Sequence, residues 1–122
     1  MARILVVDDE EAIRDLLASL LQADGHKVTV AEDGEAGITA ARRDTPDVIV
    51  TDLIMPRLCG LEAIPIWRAL TPAPRVLAIS GGARHGEHDA LGEAQRLGAD
   101  AVLEKPLDLA ELRRTIATLL VE

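Results

Sequence analysis

Five short apolar segments alternate along this chain with longer segments of helical periodicity. The apolar segments are rich in Val and Ile and are mostly continuous, which is typical of strands that are covered on both faces. They predict strands over Ile4–Val7, Lys27–Val30, Val48–Val50, Val76–Ile79 and Ala101–Leu103.

The intervening segments repeat apolar residues every three or four positions, as amphipathic helices do. The second helix is predicted over Gly34–Arg43, and Gly25 and Gly98 stand where the first and fourth helices should be capped. Pro65 falls inside the third helical pattern, so this helix either begins late or is kinked. The other four patterns are defined by Ile13, Leu16, Leu17, Leu20 and Leu21; by Leu61, Ile64, Trp67 and Leu70; by Leu91, Ala94 and Leu97; and by Leu109, Leu112, Ile116, Leu119 and Leu120.

Regular alternation of strand and helix predicts an α/β fold, in which a parallel sheet has helices on both faces. The length of 122 residues fits one domain over residues 1–122. Because the helical pattern continues almost to the last residue, we expect no output domain to follow. In a sheet of this kind, ligands bind beyond the carboxyl ends of the strands.

Charge and cysteine content narrow the function further. A net charge of −8 argues against sequence-independent DNA binding and against an anionic membrane surface, since both need basic residues. It is compatible with a metal cation or a basic partner. The only cysteine, Cys59, cannot form an internal disulfide, and the apolar run near the N-terminus is too short for a signal peptide. We therefore expect a cytoplasmic protein.

Polar residues stand at the carboxyl ends of four predicted strands. Asp8–Asp9 follow the first, Asp52 the third, Ser80 the fourth and Lys105 the fifth. Taken singly, the acidic pair is explained as well by helix capping, and Asp52, Ser80 and Lys105 by ordinary turns and loops. Taken together, they fall at one edge of one predicted sheet, and this conjunction favours a site.

The chemistry of such a site follows from its charges. Converging carboxylates repel one another unless a hard cation such as Mg²⁺ lies among them. A lysine and a hydroxyl beside that cation form an electrostatic clamp for a transferring phosphoryl group. A carboxylate would then be the nucleophile and would form an acyl phosphate.

With these motifs the chain resembles the receiver domain of two-component response regulators over essentially its whole length. The acidic pair of that family is matched by Asp8–Asp9, its D-x-x-M-P motif by Asp52–Pro56, its hydroxyl residue by Ser80 and its Lys-Pro pair by Lys105–Pro106. The resemblance implies a flavodoxin-like sheet with strand order 2-1-3-4-5 and a cis bond between Lys105 and Pro106.

The resemblance also implies the roles of the site residues. Asp52 is the phosphoacceptor and a ligand of Mg²⁺ or Mn²⁺, together with Asp9, with Asp8 through water and with the backbone carbonyl of Ile54. Lys105 contacts the phosphoryl oxygens, and Ser80 donates to one of them after transfer.

The function implied is that of a stand-alone signalling switch, phosphorylated by a histidine kinase or a histidine phosphotransfer protein. It would turn over no independent substrate, would contact neither nucleic acid nor membrane, and would be a monomer or a weak, phosphorylation-dependent homodimer. Its target protein is not identified by the residues. A magnesium-dependent phosphatase is disfavoured because Ile54 stands where its second acid is needed, and a flavin-binding module because aromatics are almost lacking. A phosphorylation-independent interaction domain is disfavoured because all the chemical positions are retained.

The sequence departs from the family pattern in the region expected to switch. Val102 replaces the usual Tyr or Phe, and the segment after Ser80 is longer and contains Gly81, Gly82 and Gly86. We expect Ser80, Gly81, Gly82 and Val102 to form the switch, with ordering or rearrangement of the glycine-rich loop instead of rotation of an aromatic ring. Amide exchange across residues 81–86 should therefore change on phosphorylation, and unchanged exchange would contradict this mechanism.

Ile54 supplies a second prediction. An apolar side chain next to the phosphoacceptor offers an attacking water few polar partners, so the phosphorylated chain should lose its phosphoryl group slowly. A half-life of seconds, measured by following the phosphoprotein after removal of the donor, would be evidence against this expectation.

Overall fold

The computed structural model of the chain describes residues 2–53, 58–80 and 90–121. Its five strands and five helices alternate as predicted. The strands are β1 (Arg3–Val7), β2 (Lys27–Ala31), β3 (Val48–Asp52), β4 (Arg75–Ser80) and β5 (Ala101–Glu104), and the helices are α1 (Glu11–Ala23), α2 (Gly34–Arg43), α3 (Gly60–Arg68), α4 (Ala90–Leu97) and α5 (Leu109–Val121).

The strands form one parallel sheet in the order β2-β1-β3-β4-β5. This order confirms the predicted flavodoxin-like fold. After β2 the chain crosses β1 and continues at β3, so the direction of strand addition reverses between β1 and β3. A crevice at the carboxyl ends of these two strands is the expected ligand site.

The inner strand β1 contributes side chains to both hydrophobic cores of the molecule. Leu5 and Val7 pack against the layer of α2, α3 and α4, whereas Ile4 and Val6 pack against α1 and α5. All four side chains are at most 2% exposed. Because alternate residues of a strand point to opposite faces, a strand covered on both sides must be apolar at every position. This requirement explains the continuous Ile4–Val7 run.

Polar residues extend the strands beyond their predicted ends. Asp52 pairs with Ile79 in the ladder between β3 and β4, and Ser80 pairs with Glu104 in the ladder between β4 and β5. A pattern of apolar residues cannot predict that these residues belong to the strands. Ladder pairing is made by backbone groups and forms equally well beneath a polar side chain. The carboxyl ends of the strands are therefore regular β structure up to the polar residues themselves.

Two features of the helices bear on predictions made from the sequence: the glycine caps and the start of α3. Gly25 and Gly98 have positive φ angles of 92° and 117°, as the predicted C-terminal caps require. Helix α3 begins at Gly60 and contains Pro65, so a late start after Pro65 is wrong.

The prediction that Leu70 belongs to this helix is also wrong. The helix ends at Arg68, and Pro72 and Pro74 follow, which cannot continue a helical hydrogen-bond pattern. Among the helices of the described residues, none combines the length and the apolar composition needed to cross a membrane.

Candidate functional site

The loop after β1 holds the acidic pair in place through its backbone. The N–H of Asp8 donates to the carbonyl of Ala31 at 3.1 Å, and the Asp8 carbonyl accepts a hydrogen bond from Nη1 of Arg14 at 2.8 Å. The Asp8 carboxylate accepts from the N–H of Glu10 at 2.9 Å and is almost fully buried, whereas Asp9 is exposed. The Asp8 carboxylate therefore bonds the residue that precedes α1 and, among the described residues, no N–H of the helix itself, and it faces the crevice.

Asp52 ends β3 and is held equally firmly. Its carbonyl accepts a hydrogen bond from Oγ1 of Thr51 at 2.8 Å, and the N–H of the next residue, Leu53, donates to the carbonyl of Ile79 at 3.0 Å. A Cβ atom on Gly60 would lie only 2.3 Å from the Asp52 carbonyl oxygen. Glycine at position 60 therefore lets the start of α3 pack directly against the backbone that carries the Asp52 carboxylate.

Lys105 and Ser80 come from the far side of the crevice. The N–H of Lys105 donates to the carbonyl of Ser80 at 2.7 Å, which fixes the chain leaving β5 against the end of β4. Ser80 is fully buried. The peptide bond between Lys105 and Pro106 is cis.

These loops bring four of the predicted site residues together. The Nζ atom of Lys105 lies 3.3 Å from Oδ2 of Asp52 and 3.5 Å from Oδ2 of Asp8. Carboxylate oxygens of Asp8, Asp9 and Asp52 lie within 4.8 Å of one another. Residues from three separate strand ends thus converge at one rim, as the sequence predicts.

Burial and like charge perturb the titration of this cluster. Burial, reinforced by the charge of Asp8, raises the pKa of Asp52 to about 6, although Lys105 opposes the shift. Burial also raises the pKa of Asp8. Burial alone would lower the pKa of Lys105, but the charges of Asp52 and Asp8 outweigh it and raise the pKa. One lysine therefore does not fully compensate the carboxylates around it.

The donor set of the cluster fits a divalent cation. Each of Asp8, Asp9 and Asp52 offers a carboxylate oxygen, and hard cations such as Mg²⁺ and Mn²⁺ prefer oxygen ligands. The two buried carboxylates carry a charge that solvent screens poorly, so a cation there would relieve repulsion as well as bind.

The remaining predicted residues are placed less completely. Val102 lies on β5 opposite Ala78 and packs, half-buried, against the core layer of α2, α3 and α4. Ile54, expected to offer a carbonyl to the metal, and Gly81 and Gly82, expected to take part in the switch, lie outside the described residues.

Two residues of the site were missed by sequence reasoning. Glu10, the residue before α1, makes no capping hydrogen bond with its side chain, and its Oε1 lies 3.4 Å from Nζ of Lys105. Arg14 supports the Asp8 carbonyl. Adjacency to the acidic pair was a signal for Glu10, whereas nothing in the sequence marks Arg14.

The acidic crevice thus lies at the carboxyl end of a flavodoxin-like sheet and offers oxygen ligands of the kind that a divalent cation prefers. Residues 4–117 match the family described as the response regulator receiver domain, and the chain belongs to that family. The resemblance inferred from the motifs is thereby confirmed.

Relatives and solved structures agree with this assignment. Protein PilH of Pseudomonas aeruginosa is 37% identical over 120 residues, which cover 98% of this chain and 98% of PilH. Response regulator MprA of Mycobacterium leprae is 38% identical over 97% of this chain, which spans about half (50%) of MprA.

Among solved structures, the chemotaxis protein CheY4 of Vibrio cholerae has a TM-score of 0.87 at 28% identity, with 98% of each chain covered. A response regulator receiver domain protein from Clostridium thermocellum has a TM-score of 0.89 at 31% identity, with 98% of this chain and 94% of that chain covered. The similarity therefore extends over the whole sheet and its helices.

Asparagine at position 52 should stabilise the protein at neutral pH. A carboxyl whose pKa is higher in the folded than in the unfolded chain makes the protein less stable as the pH rises between the two values. For Asp52 this window runs from 3.8 to about 6. We expect Asp52→Asn to raise the free energy of unfolding, measured by urea titration in EDTA, by at most about 3 kcal/mol at pH 7.5 and by about 1 kcal/mol at pH 4.5.

Asp15 provides the matched control for this measurement. It is exposed on α1, so Asp15→Asn makes the same change of charge away from the crevice. Its effect on the free energy of unfolding should be small and similar at both pH values. If Asp52→Asn raised the free energy of unfolding at pH 7.5 no more than Asp15→Asn does, this result would contradict a raised pKa of Asp52.

Proposed function

We propose that this chain is a phosphorylation-dependent signalling switch that accepts a phosphoryl group on Asp52. The observation that supports this most directly is the approach of Lys105 Nζ to 3.3 Å from Oδ2 of Asp52, at a rim where Asp8 and Asp9 can hold a cation beside the same carboxylate. A nucleophile, a cation site and a fixed positive charge are the components that phosphoryl transfer requires.

The transfer step uses the Asp52 carboxylate as nucleophile. A carboxylate oxygen attacks the phosphorus atom of a phosphohistidine, the bond from phosphorus to the imidazole nitrogen breaks, and the imidazole leaves and is reprotonated. The product is an acyl phosphate on Asp52. With a pKa of about 6, Asp52 is largely ionised at neutral pH and can act as the nucleophile without a separate base.

The other residues of the crevice hold the charge that develops. Lys105 exchanges its contact with the Asp52 carboxylate for phosphoryl oxygens, and Ser80 at the end of β4 donates its hydroxyl to a phosphoryl oxygen. Asp8, Asp9 and Asp52 would hold Mg²⁺ or Mn²⁺, to which the carbonyl of Ile54 also contributes in this proposal. When bound, the cation neutralises the carboxylates and the phosphoryl oxygens.

Family membership indicates the partners. A sensor histidine kinase or a histidine phosphotransfer protein supplies the phosphoryl group, and the signal leaves through contact with a target protein. We propose a cytoplasmic switch, monomeric or weakly dimeric on phosphorylation, that turns over no independent substrate. Because Val102 has no aromatic ring to reorient, the switch would operate through Ser80 and the following glycines.

Intact-mass measurement after incubation with a small-molecule phosphodonor and Mg²⁺ tests the proposal. We expect the protein to gain the mass of one phosphoryl group, which peptide mapping should assign to Asp52. EDTA and Asp52→Asn should each abolish the gain, because the first removes the cation and the second removes the nucleophile.

Asp15→Asn serves again as the matched control and should be phosphorylated like the unsubstituted protein. Undiminished phosphorylation of Asp52→Asn would contradict the proposal, and so would a phosphoryl group mapped to Asp8 or Asp9. Equal uptake in EDTA and in Mg²⁺ would contradict the role of the cation.

A further inference from the structure

Lys105 contacts three carboxylates, of which only two belong to the group that can hold a metal ion. Its Nζ atom lies 3.3 Å from Asp52, 3.5 Å from Asp8 and 3.4 Å from Glu10. Asp8 and Asp52 belong to the group of carboxylates that can hold a metal ion, whereas Glu10 does not. Glu10 is therefore the partner of Lys105 that has no part in the proposed cation site.

The position of Glu10 differs from that of the other two acids as well. Its side chain is 62% exposed, compared with 9% for Asp52 and 3% for Asp8. It thus lies at the solvent mouth of the crevice, where a phosphodonor must enter. Its backbone is fixed as the first residue before α1, since its carbonyl accepts hydrogen bonds from the N–H groups of Ile13 and Arg14, both at 3.1 Å.

The helix does not depend on the Glu10 side chain. The side chain makes no capping hydrogen bond. A substitution that changes only this carboxylate therefore leaves the backbone contacts of the α1 N-terminus in place. The contact with Lys105 is the one hydrogen bond or ion pair shown for the carboxylate within the described residues, and its charge also repels that of Asp8.

A bound cation would change the balance among the partners of Lys105. It compensates the charge of Asp8 and Asp52, so those carboxylates attract the lysine less. Glu10 is not compensated and continues to hold Lys105 at the mouth. When Lys105 exchanges its contact with Asp52 for an incoming phosphoryl group, the contact with Glu10 still draws the ammonium group toward the mouth and opposes this exchange.

We infer, on the basis of the proposed function, that Glu10 is a positioning residue that restrains Lys105 and thereby slows phosphorylation of Asp52. Glu10 competes with the phosphoryl oxygens for the same ammonium group. Removing the competition makes Lys105 available at the start of the reaction. The effect is modest, because an exposed ion pair is weak.

The rate of phosphoryl uptake in Mg²⁺ tests the inference, with a small anionic phosphodonor at a series of concentrations and intact mass as readout. We expect Glu10→Gln to accelerate uptake by about two- to fivefold, the factor that corresponds to an exposed ion pair of ordinary strength. Glu10→Asp should accelerate it similarly, because the charge remains but the shorter side chain no longer reaches Lys105. Glu11→Gln, which removes a neighbouring exposed charge, should leave the rate unchanged.

Other results would overturn the inference. Acceleration by Glu10→Gln but not by Glu10→Asp, disappearing at high salt, would mean that Glu10 acts only as a repulsive charge at the mouth. Slower uptake by Glu10→Gln would mean that the contact assists the reaction. If the unsubstituted protein is phosphorylated and the variants match it, this inference alone fails, whereas absence of any uptake overturns the proposed function and this inference with it.

A second measurement reads the contact without phosphorylation. In EDTA, Glu10→Gln in the unsubstituted protein removes both the contact with Lys105 and the repulsion from neighbouring acids. In a Lys105→Met background it removes only the repulsion. The urea midpoint of unfolding should therefore change more favourably, toward higher urea, in the Lys105→Met background. Equal shifts in both backgrounds would show that Glu10 and Lys105 do not interact, and would overturn the inference independently of any rate.

Discussion

The burial of two carboxylates beside a single lysine is the constraint on which this structure depends. Counted as whole residues, Asp8 and Asp52 are 2% and 8% exposed, and the positive charge that contacts both is Lys105. Burying a charge is unfavourable unless it is paired and hydrogen-bonded, and removing the pairing group leaves an uncompensated charge in a poorly solvated place. The folded chain therefore carries a local electrostatic conflict that the rest of the molecule must stabilise.

The sheet is what makes this conflict tolerable. The apolar residues of β1 anchor it in both cores immediately before the acidic pair, and β3 is buried along its whole length up to Asp52. Rigid strands fix the backbone at the rim, so the carboxylates cannot move apart to relieve their repulsion. Such a site gains stability when a cation binds, and in the proposed function the same balance of charges couples phosphorylation to the conformation of the chain.

Periodicity predicted the strands, the helices and the α/β class, whereas the strand order was implied by the family resemblance. Continuous apolar runs identified all five strands, and glycines at the ends of helical patterns marked two helix ends correctly. The errors at the ends of β3, β4 and β5 share a cause: Asp52, Ser80 and Glu104 are polar side chains on a regular ladder, and hydrophobic patterning cannot detect backbone pairing. The end of α3 was misplaced because an apolar residue, Leu70, continues the period although the chain has left the helix.

The site was predictable only where its residues follow strands directly. Asp8, Asp9, Asp52 and Lys105 could be placed together because parallel strands bring their carboxyl ends to one edge. Arg14 and Gly60 could not, since the first acts through a carbonyl six residues away in sequence and the second through close contact between α3 and the end of β3. Such contacts depend on how helices dock on the sheet, which periodicity does not specify.

The single indole of the chain gives the molecule an uncommon optical property. Trp67 is fully buried in the layer of α2 and α3, its N–H donates to the Gly37 carbonyl at 3.4 Å, and the chain contains no tyrosine and no phenylalanine. All intrinsic ultraviolet emission therefore originates from one point on one side of the sheet. A change in the fluorescence spectrum of the native protein therefore reports rearrangement of that layer, without a background from the opposite one.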